Sequence, residues 1–82
     1  MMKNGLYIVF KKNTNEDGLD YPVKIGSFEI LNDRVTEVSG EIVRDILKEG
    51  PITPLSIYKI KVSLNNGYIY TEHVDAANGQ TS

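Results

Sequence analysis

The chain predicts an α+β domain, a small antiparallel sheet of four to five strands with one short helix packed on one face, in the order β-β-(β)-α-β-β. Three observations carry this. Residues 56–74 alternate apolar and polar positions on either side of Asn65-Asn66-Gly67, the pattern of a β-hairpin around an Asn-Gly corner. Leu6-Tyr7-Ile8-Val9-Phe10 is apolar at both parities and rich in β-branched and aromatic residues, as a central strand is. Between them, residues 41–49 hold the chain's one clear helical stripe, closed by Gly50-Pro51.

The first strand ends where Lys11-Lys12 gives way to Asn13-Thr14-Asn15-Glu16-Asp17-Gly18, a polar, turn-forming run. Tyr21-Pro22 restarts an extended segment, because proline pushes the residue before it out of the helical region. Along residues 23–31, Val23 and Ile25 share one parity and Phe28 and Ile30 the other. A β-bulge at Gly26 brings both pairs onto one face; a turn at Gly26-Ser27 is the alternative.

Residues 31–38 fit two readings. Asn32-Asp33 makes a tight turn into a short strand, or Asp33 caps a helix. Val35, Thr36 and Val38 are β-branched and Gly40 is internal, all unfavourable in one long helix, so the preferred reading is a strand and then a helix capped by Ser39. Within residues 41–49, Ile42, Val43, Ile46 and Leu47 form the apolar stripe, with Glu41, Arg44, Asp45, Lys48 and Glu49 outside it. Gly50 is expected as the C-terminal cap and Pro51 as the stop. Residues 51–55, with two prolines, read as an extended connector to the hairpin.

With Asn66-Gly67 as a two-residue loop, Leu64 pairs beside Ile69, Val62 beside Thr71 and Ile60 beside His73. The other face then carries Tyr68, Tyr70 and Val74 among Lys59, Lys61 and Glu72. A three-residue loop with Gly67 as a bulge shifts these partners by one step. Residues 1–75 are expected to be one compact domain and residues 76–82 a flexible tail with nothing to bury.

Eighty-two residues support a thin core. Disulfides, a structural metal or self-association are the usual supplements at this size. The chain has no cysteine and one histidine, which removes disulfides and thiolate metal sites and leaves self-association. Nine basic residues against eleven acidic ones give a net charge of −2, so no broad field draws a polyanion. There is no apolar run of the roughly 18 residues a membrane helix needs, and no signal-peptide core, which reads as a cytoplasmic protein.

Candidate chemistry is sparse. His73 and Asp75 lie two apart on a strand, and a carboxylate orienting an imidazole is the basic unit of general acid–base catalysis. The spacing is common, and a strand-end histidine bonded to backbone is the plainer reading. Asn13, Asn15, Glu16, Asp17 and Asp20 superficially suggest a calcium loop, but the required glycine and terminal glutamate positions do not match. No nucleophile elbow, phosphate loop or paired-histidine motif is present. No catalytic residue, metal ligand or cofactor is therefore assigned.

One helix shields one side of a sheet, so the other side is expected to expose Tyr7, Val9, Tyr68 and Tyr70 or to find a partner. The leading expectation is a small non-enzymatic protein-interaction module of the adaptor or inhibitor kind, of the size also met among phage and mobile-element accessory proteins. It binds a protein partner or itself, as a homodimer, through the sheet face or an edge strand. Tyr7, Lys59, Lys61, Tyr68 and Tyr70 are the candidate interaction residues, the tyrosines supplying area and the edge supplying backbone hydrogen bonds. Single-stranded nucleic acid on the same Tyr/Lys face ranks second, disfavoured by net charge. A small enzyme built on His73 and Asp75 ranks third.

Overall fold

The computed structural model describes residues 2–75; the tail expected at residues 76–82 lies outside them. Five strands, β1 (Gly5–Thr14), β2 (Asp20–Leu31), β3 (Arg34–Ser39), β4 (Gly50–Pro51) and β5 (Ile69–Asp75), form one antiparallel sheet in the order β4-β3-β2-β1-β5. Asn32 and Asp33 both take positive φ, 49° and 61°, the two-residue turn whose twist suits a hairpin, and Leu31 pairs with Arg34 across it. The β1–β2 connection is held by Asn15, whose Oδ1 accepts from the amides of Asp17 and Leu19, while the Thr14 hydroxyl donates to Asp20. The acidic loop's side chains thus serve a turn.

The phase change in β2 is resolved by a bulge. Val9 pairs with Gly26 but Phe10 with Lys24, so Ile25 is the extra residue. Val23, Phe28 and Ile30 then share one side of the sheet and Ile25 packs against the same core. Only glycine fits at position 26, because a Cβ there would meet the Ser39 carbonyl oxygen and lie 2.7 Å from Val43 Cγ2.

The expected hairpin at residues 56–74 is not formed. Residues 54–59 are α-helix (α2, Pro54–Lys59), continued by a π-helical turn, Ile60–Leu64, and only β5 of the expected pair is a strand. No strand therefore carries Leu64, Val62 or Ile60 beside Ile69, Thr71 or His73; β5 lies against β1 instead. The local reason is the start signal Thr53-Pro54-Leu55-Ser56. Thr53 Oγ1 accepts from the Ser56 amide, the Thr53 amide donates to Ser56 Oγ, and Pro54 occupies the first turn, where its missing N–H costs nothing. Ile60 and Leu64, four apart, are buried. The same residues alternate and keep helical spacing, and the cap together with burial decides for the helix. Thr53→Ala should lower unfolding free energy by about 1 kcal/mol, read as an earlier urea midpoint at unchanged slope.

The other helix, α1 (Glu41–Ile46), is shorter than the expected 41–49. Ser39 is not its cap. It pairs with Ser27 in the sheet, and Gly40, at φ 94°, is the N-cap residue without a side-chain cap bond. The helix stops at Ile46 because Leu47 is extended and buried, carrying the chain to Gly50, which pairs with Val35 as an edge strand instead of capping the helix. Proline suits that edge position, where no ladder donor is needed.

Both helical segments lie on one side of the sheet. The core joins Tyr7, Val9, Phe28, Ile30 and Val35 from the strands to Val43, Leu47, Ile60 and Leu64 from the segments above them. Strand periodicity places Leu6, Ile8 and Phe10 on the opposite side.

Candidate functional site

The covered side carries an aromatic ladder across three strands. Tyr7 stacks on Phe28 at 5.0 Å and an interplanar angle of 3°, and on its other flank meets the His73 ring at 4.6 Å. Direct cross-strand pairing sets both contacts, since Tyr7 is opposite Phe28 in β2 and His73 in β5. The Tyr7 hydroxyl donates to the Lys3 carbonyl at 2.7 Å. Burial pushes the Tyr7 phenol above its usual range. A raised native pKa on a group that is neutral when protonated gives stability that is full below the unfolded value near 10 and lost as pH climbs through the native value. Wild type should therefore lose more stability than Tyr7→Phe when both are titrated from pH 8 to 11, a difference read by denaturant unfolding.

His73 sits at the exposed end of this ladder. Its Nε2 is 3.0 Å from the Asn4 carbonyl, an acceptor only, so that nitrogen carries the proton and donates. Asp75 follows two residues on, on the same side. The ring contact and the backbone bond give this histidine a structural occupation.

The open side is read directly from the register. β1 contributes Leu6, Ile8, Phe10 and Lys12; β5 contributes Val74, Glu72 and Tyr70 beside the first three; β2 contributes Glu29, Ser27, Lys24 and Pro22 beside all four. Phe10 and Tyr70 stack at 5.4 Å, and Lys12 Nζ stands 5.8 Å from the Tyr70 ring centroid. Leu6 and Val74 are exposed, while Ile8, Phe10 and Tyr70 are half-buried by their neighbours in the sheet. The result is an apolar strip on β1 and β5, broken on β5 by Glu72 and bordered on β2 by Glu29 and Lys24.

The five candidate interaction residues are not brought together. Tyr70 lies on the open face. Tyr68 is exposed just before β5, under Lys11 Nζ at 5.5 Å. Tyr7 and Val9 are in the core, on the side opposite to the one expected, because β1 turns its odd positions to the helices. Lys59 ends α2 and Lys61 lies in the π turn, so neither is on a strand paired with the tyrosine strand. Phe10, stacked on Tyr70, is the aromatic of the open face that lies outside the five, and the even parity of residues 6–10 carries its signal.

A second exposed apolar set runs along the outer side of the helix, Leu55, Tyr58 and Val62 at helical spacing. A shallow depression lined by Leu47, Lys48, Glu49, Leu55 and Lys59 lies beside it. Among the described residues there is no group of three or more His, Asp or Glu able to hold a metal, no buried side-chain polar atom without a partner, and no helix long and apolar enough to cross a membrane.

The free edge of β5 is partly closed. Lys12 donates to the Tyr68 carbonyl, so even positions of β5 turn their backbone groups to β1 and odd positions turn theirs outward. Asn66 Oδ1 takes the Ile69 amide and Asn65 Oδ1 takes the Thr71 amide, at 2.8 and 2.9 Å, and the Asn66 amide donates to the Ile69 carbonyl. Two asparagines thereby occupy the half of the edge where an incoming strand would start, a protection natural sheets use against edge pairing.

No family model, no curated protein and no solved structure matches this chain.

Proposed function

We propose that this protein is a small non-enzymatic protein-interaction module that docks through the helix-free face of its sheet. The observation that carries the reading is the strip of Leu6, Ile8, Phe10, Tyr70 and Val74, which both helical segments leave uncovered. Aromatic residues with polar surroundings are what interface cores are made of. The face is favoured over the edge because Asn66 and Asn65 already bond two of the outward amides of β5, those of Ile69 and Thr71. A cytoplasmic location belongs to the same reading, and fractionation of cells expressing the tagged protein checks it.

Replacing Phe10 and Tyr70 together by threonine puts β-branched strand formers at both positions and removes the rings. The double variant should fold and lose protein association, whether to itself or to a partner captured from the host. Association undiminished in the folded variant would place docking elsewhere on the molecule.

Single-stranded nucleic acid is the second reading, favoured by Phe10 beside Tyr70 with Lys12 over the ring. Glu29, Glu37 and Glu72 share that face and repel a phosphate chain, which ranks it second. Titration with a fluorescent oligothymidylate separates the two. Binding that falls with added salt and is lost in Tyr70→Ala favours nucleic acid, and flat titrations favour protein.

A further inference from the structure

The charges on the open face follow an order that matches its own reverse. Across successive rows from the β2–β3 turn toward the β1–β2 turn stand Arg34 beside Leu31, then Glu29 and Glu37 beside Leu6, then Glu72 beside Ile8. Beyond them come Lys24 beside Phe10, Lys12 beside Pro22, and Asp20 beside Thr14. Read in one direction the signs run plus, minus, minus, plus, plus, minus. Reversed, every row meets a row of opposite sign, with the opposed charges one or two strands apart. A two-fold axis lying parallel to the sheet, across the strands between Ile8 and Phe10, produces that reversal when two copies pack face to face.

We propose that the occupant of this face is a second copy of the chain, packed sheet on sheet about that axis; this rests on the docking face named above and specifies its partner. The axis lays Ile8 on the partner copy's Phe10 row and brings the Lys12 and Lys24 end over the Glu29, Glu37 and Glu72 end. Such an isologous contact repeats each interaction twice. Sheets packing in this way lie roughly 10 Å apart with inner side chains interdigitated, a space that half-buried Ile8, Phe10 and Tyr70 can fill. The apolar side chains contribute area, and the charged rows select the antiparallel arrangement by penalising the parallel one, where like charges meet.

The size of the face sets the strength. Four rows on three to four strands cover on the order of 500 Å² per copy, or roughly 1,000 Å² in all, at the lower end for specific interfaces. The dimer is accordingly weak, with a dissociation constant on the order of micromolar. The outer helix stripe of Leu55, Tyr58 and Val62 shows no comparable reversal, since Lys59 and Lys61 there have no acidic counterpart within residues 54–64.

The test is sedimentation velocity across protein concentration with two charge-exchanged chains, each checked for its fold by circular dichroism. Lys12→Glu with Lys24→Glu makes the face acidic; Glu29→Lys with Glu72→Lys makes its middle basic. Each variant alone should dimerise at least tenfold more weakly than wild type, and a one-to-one mixture should recover association to within a few-fold. Wild type that stays monomeric up to about a millimolar overturns the second-copy proposal. So does a mixture of folded variants that fails to associate, and so does dimerisation unchanged in both variants, which would point to the helix stripe. A monomeric wild type that still captures a host protein in a Phe10- and Tyr70-dependent manner would leave the docking face standing without the second copy. Wild-type dimerisation untouched by Phe10→Thr with Tyr70→Thr would remove both.

Discussion

Gly26→Ala is expected to unfold much of the population at 25 °C, an effect that only Gly40→Ala, at the same contact, should match or exceed. The added Cβ would overlap the Ser39 carbonyl oxygen and sit 2.7 Å from Val43 Cγ2. Neither neighbour has room to yield. Ser39 is paired with Ser27 in the sheet, and Val43 is fully buried where α1 meets β2. The facing residue, Gly40, is equally constrained: it takes φ 94°, and a Cβ there would strike the Ile25 carbonyl oxygen and stand 2.7 Å from Gly26 Cα. Two bare backbones thus touch where the bulge of β2 meets the start of α1. Overpacking against flexible side chains costs about 1–3 kcal/mol, and against backbone the upper end or more applies. A domain of this length has roughly 4–12 kcal/mol in total. Gly40→Ala adds about 1–2 kcal/mol of left-handed strain to its clash. Gly18→Ala, at a position with open space, should cost only the strain of its positive φ. Urea unfolding ranks the three variants, and a Gly26→Ala midpoint equal to wild type would show that α1 does not approach the sheet this closely.

The second large effect separates the two sides of the sheet. Phe28→Ala, in the covered ladder, should cost about 3–5 kcal/mol of stability, because a fully buried ring stacked on Tyr7 leaves a cavity. Phe10→Thr with Tyr70→Thr should cost far less stability and instead weaken self-association about a hundredfold or more, as loss of two central aromatic anchors does. Equal losses of stability from both sides would mean that Phe10 and Tyr70 are packed as tightly as Phe28. The contrast follows from placement alone, since both pairs are neighbouring rings on adjacent strands.

The sheet was largely legible in the chain. Apolar content at both parities of residues 6–10 marked a strand wanted on both sides, the Asn-Asp pair marked the β2–β3 turn, and the parity change around Gly26 marked the bulge. Each depends on short-range geometry written in a few residues. Residues 54–64 suit strand and helix alike, because Ile60, Val62 and Leu64 alternate while Ile60 and Leu64 also keep helical spacing. The deciding signal, Thr53-Pro54 with Ser56 three residues after the cap, lies inside a stretch whose two prolines suggest irregular structure. The strand reading puts Lys59 and Lys61 on a strand they do not occupy, beside the tyrosines. The layer count survived it, because the added helical segment lies on the same side as α1 and covers Tyr7 and Val9. Which parity of β1 is covered was not legible, since Leu6, Ile8 and Phe10 are as apolar as Tyr7 and Val9. Only the position of Val43, Leu47, Ile60 and Leu64 in three dimensions decides it.

A mixed sample of isotope-labelled and unlabelled protein at high concentration tests the central claim most directly, through nuclear Overhauser effects filtered for contacts between copies. The packing described here predicts cross-peaks from Ile8 methyl protons of one copy to the Phe10 and Tyr70 ring protons of the other. Contacts between copies confined to Leu55, Tyr58 and Val62, or none at concentrations near a millimolar, would contradict it.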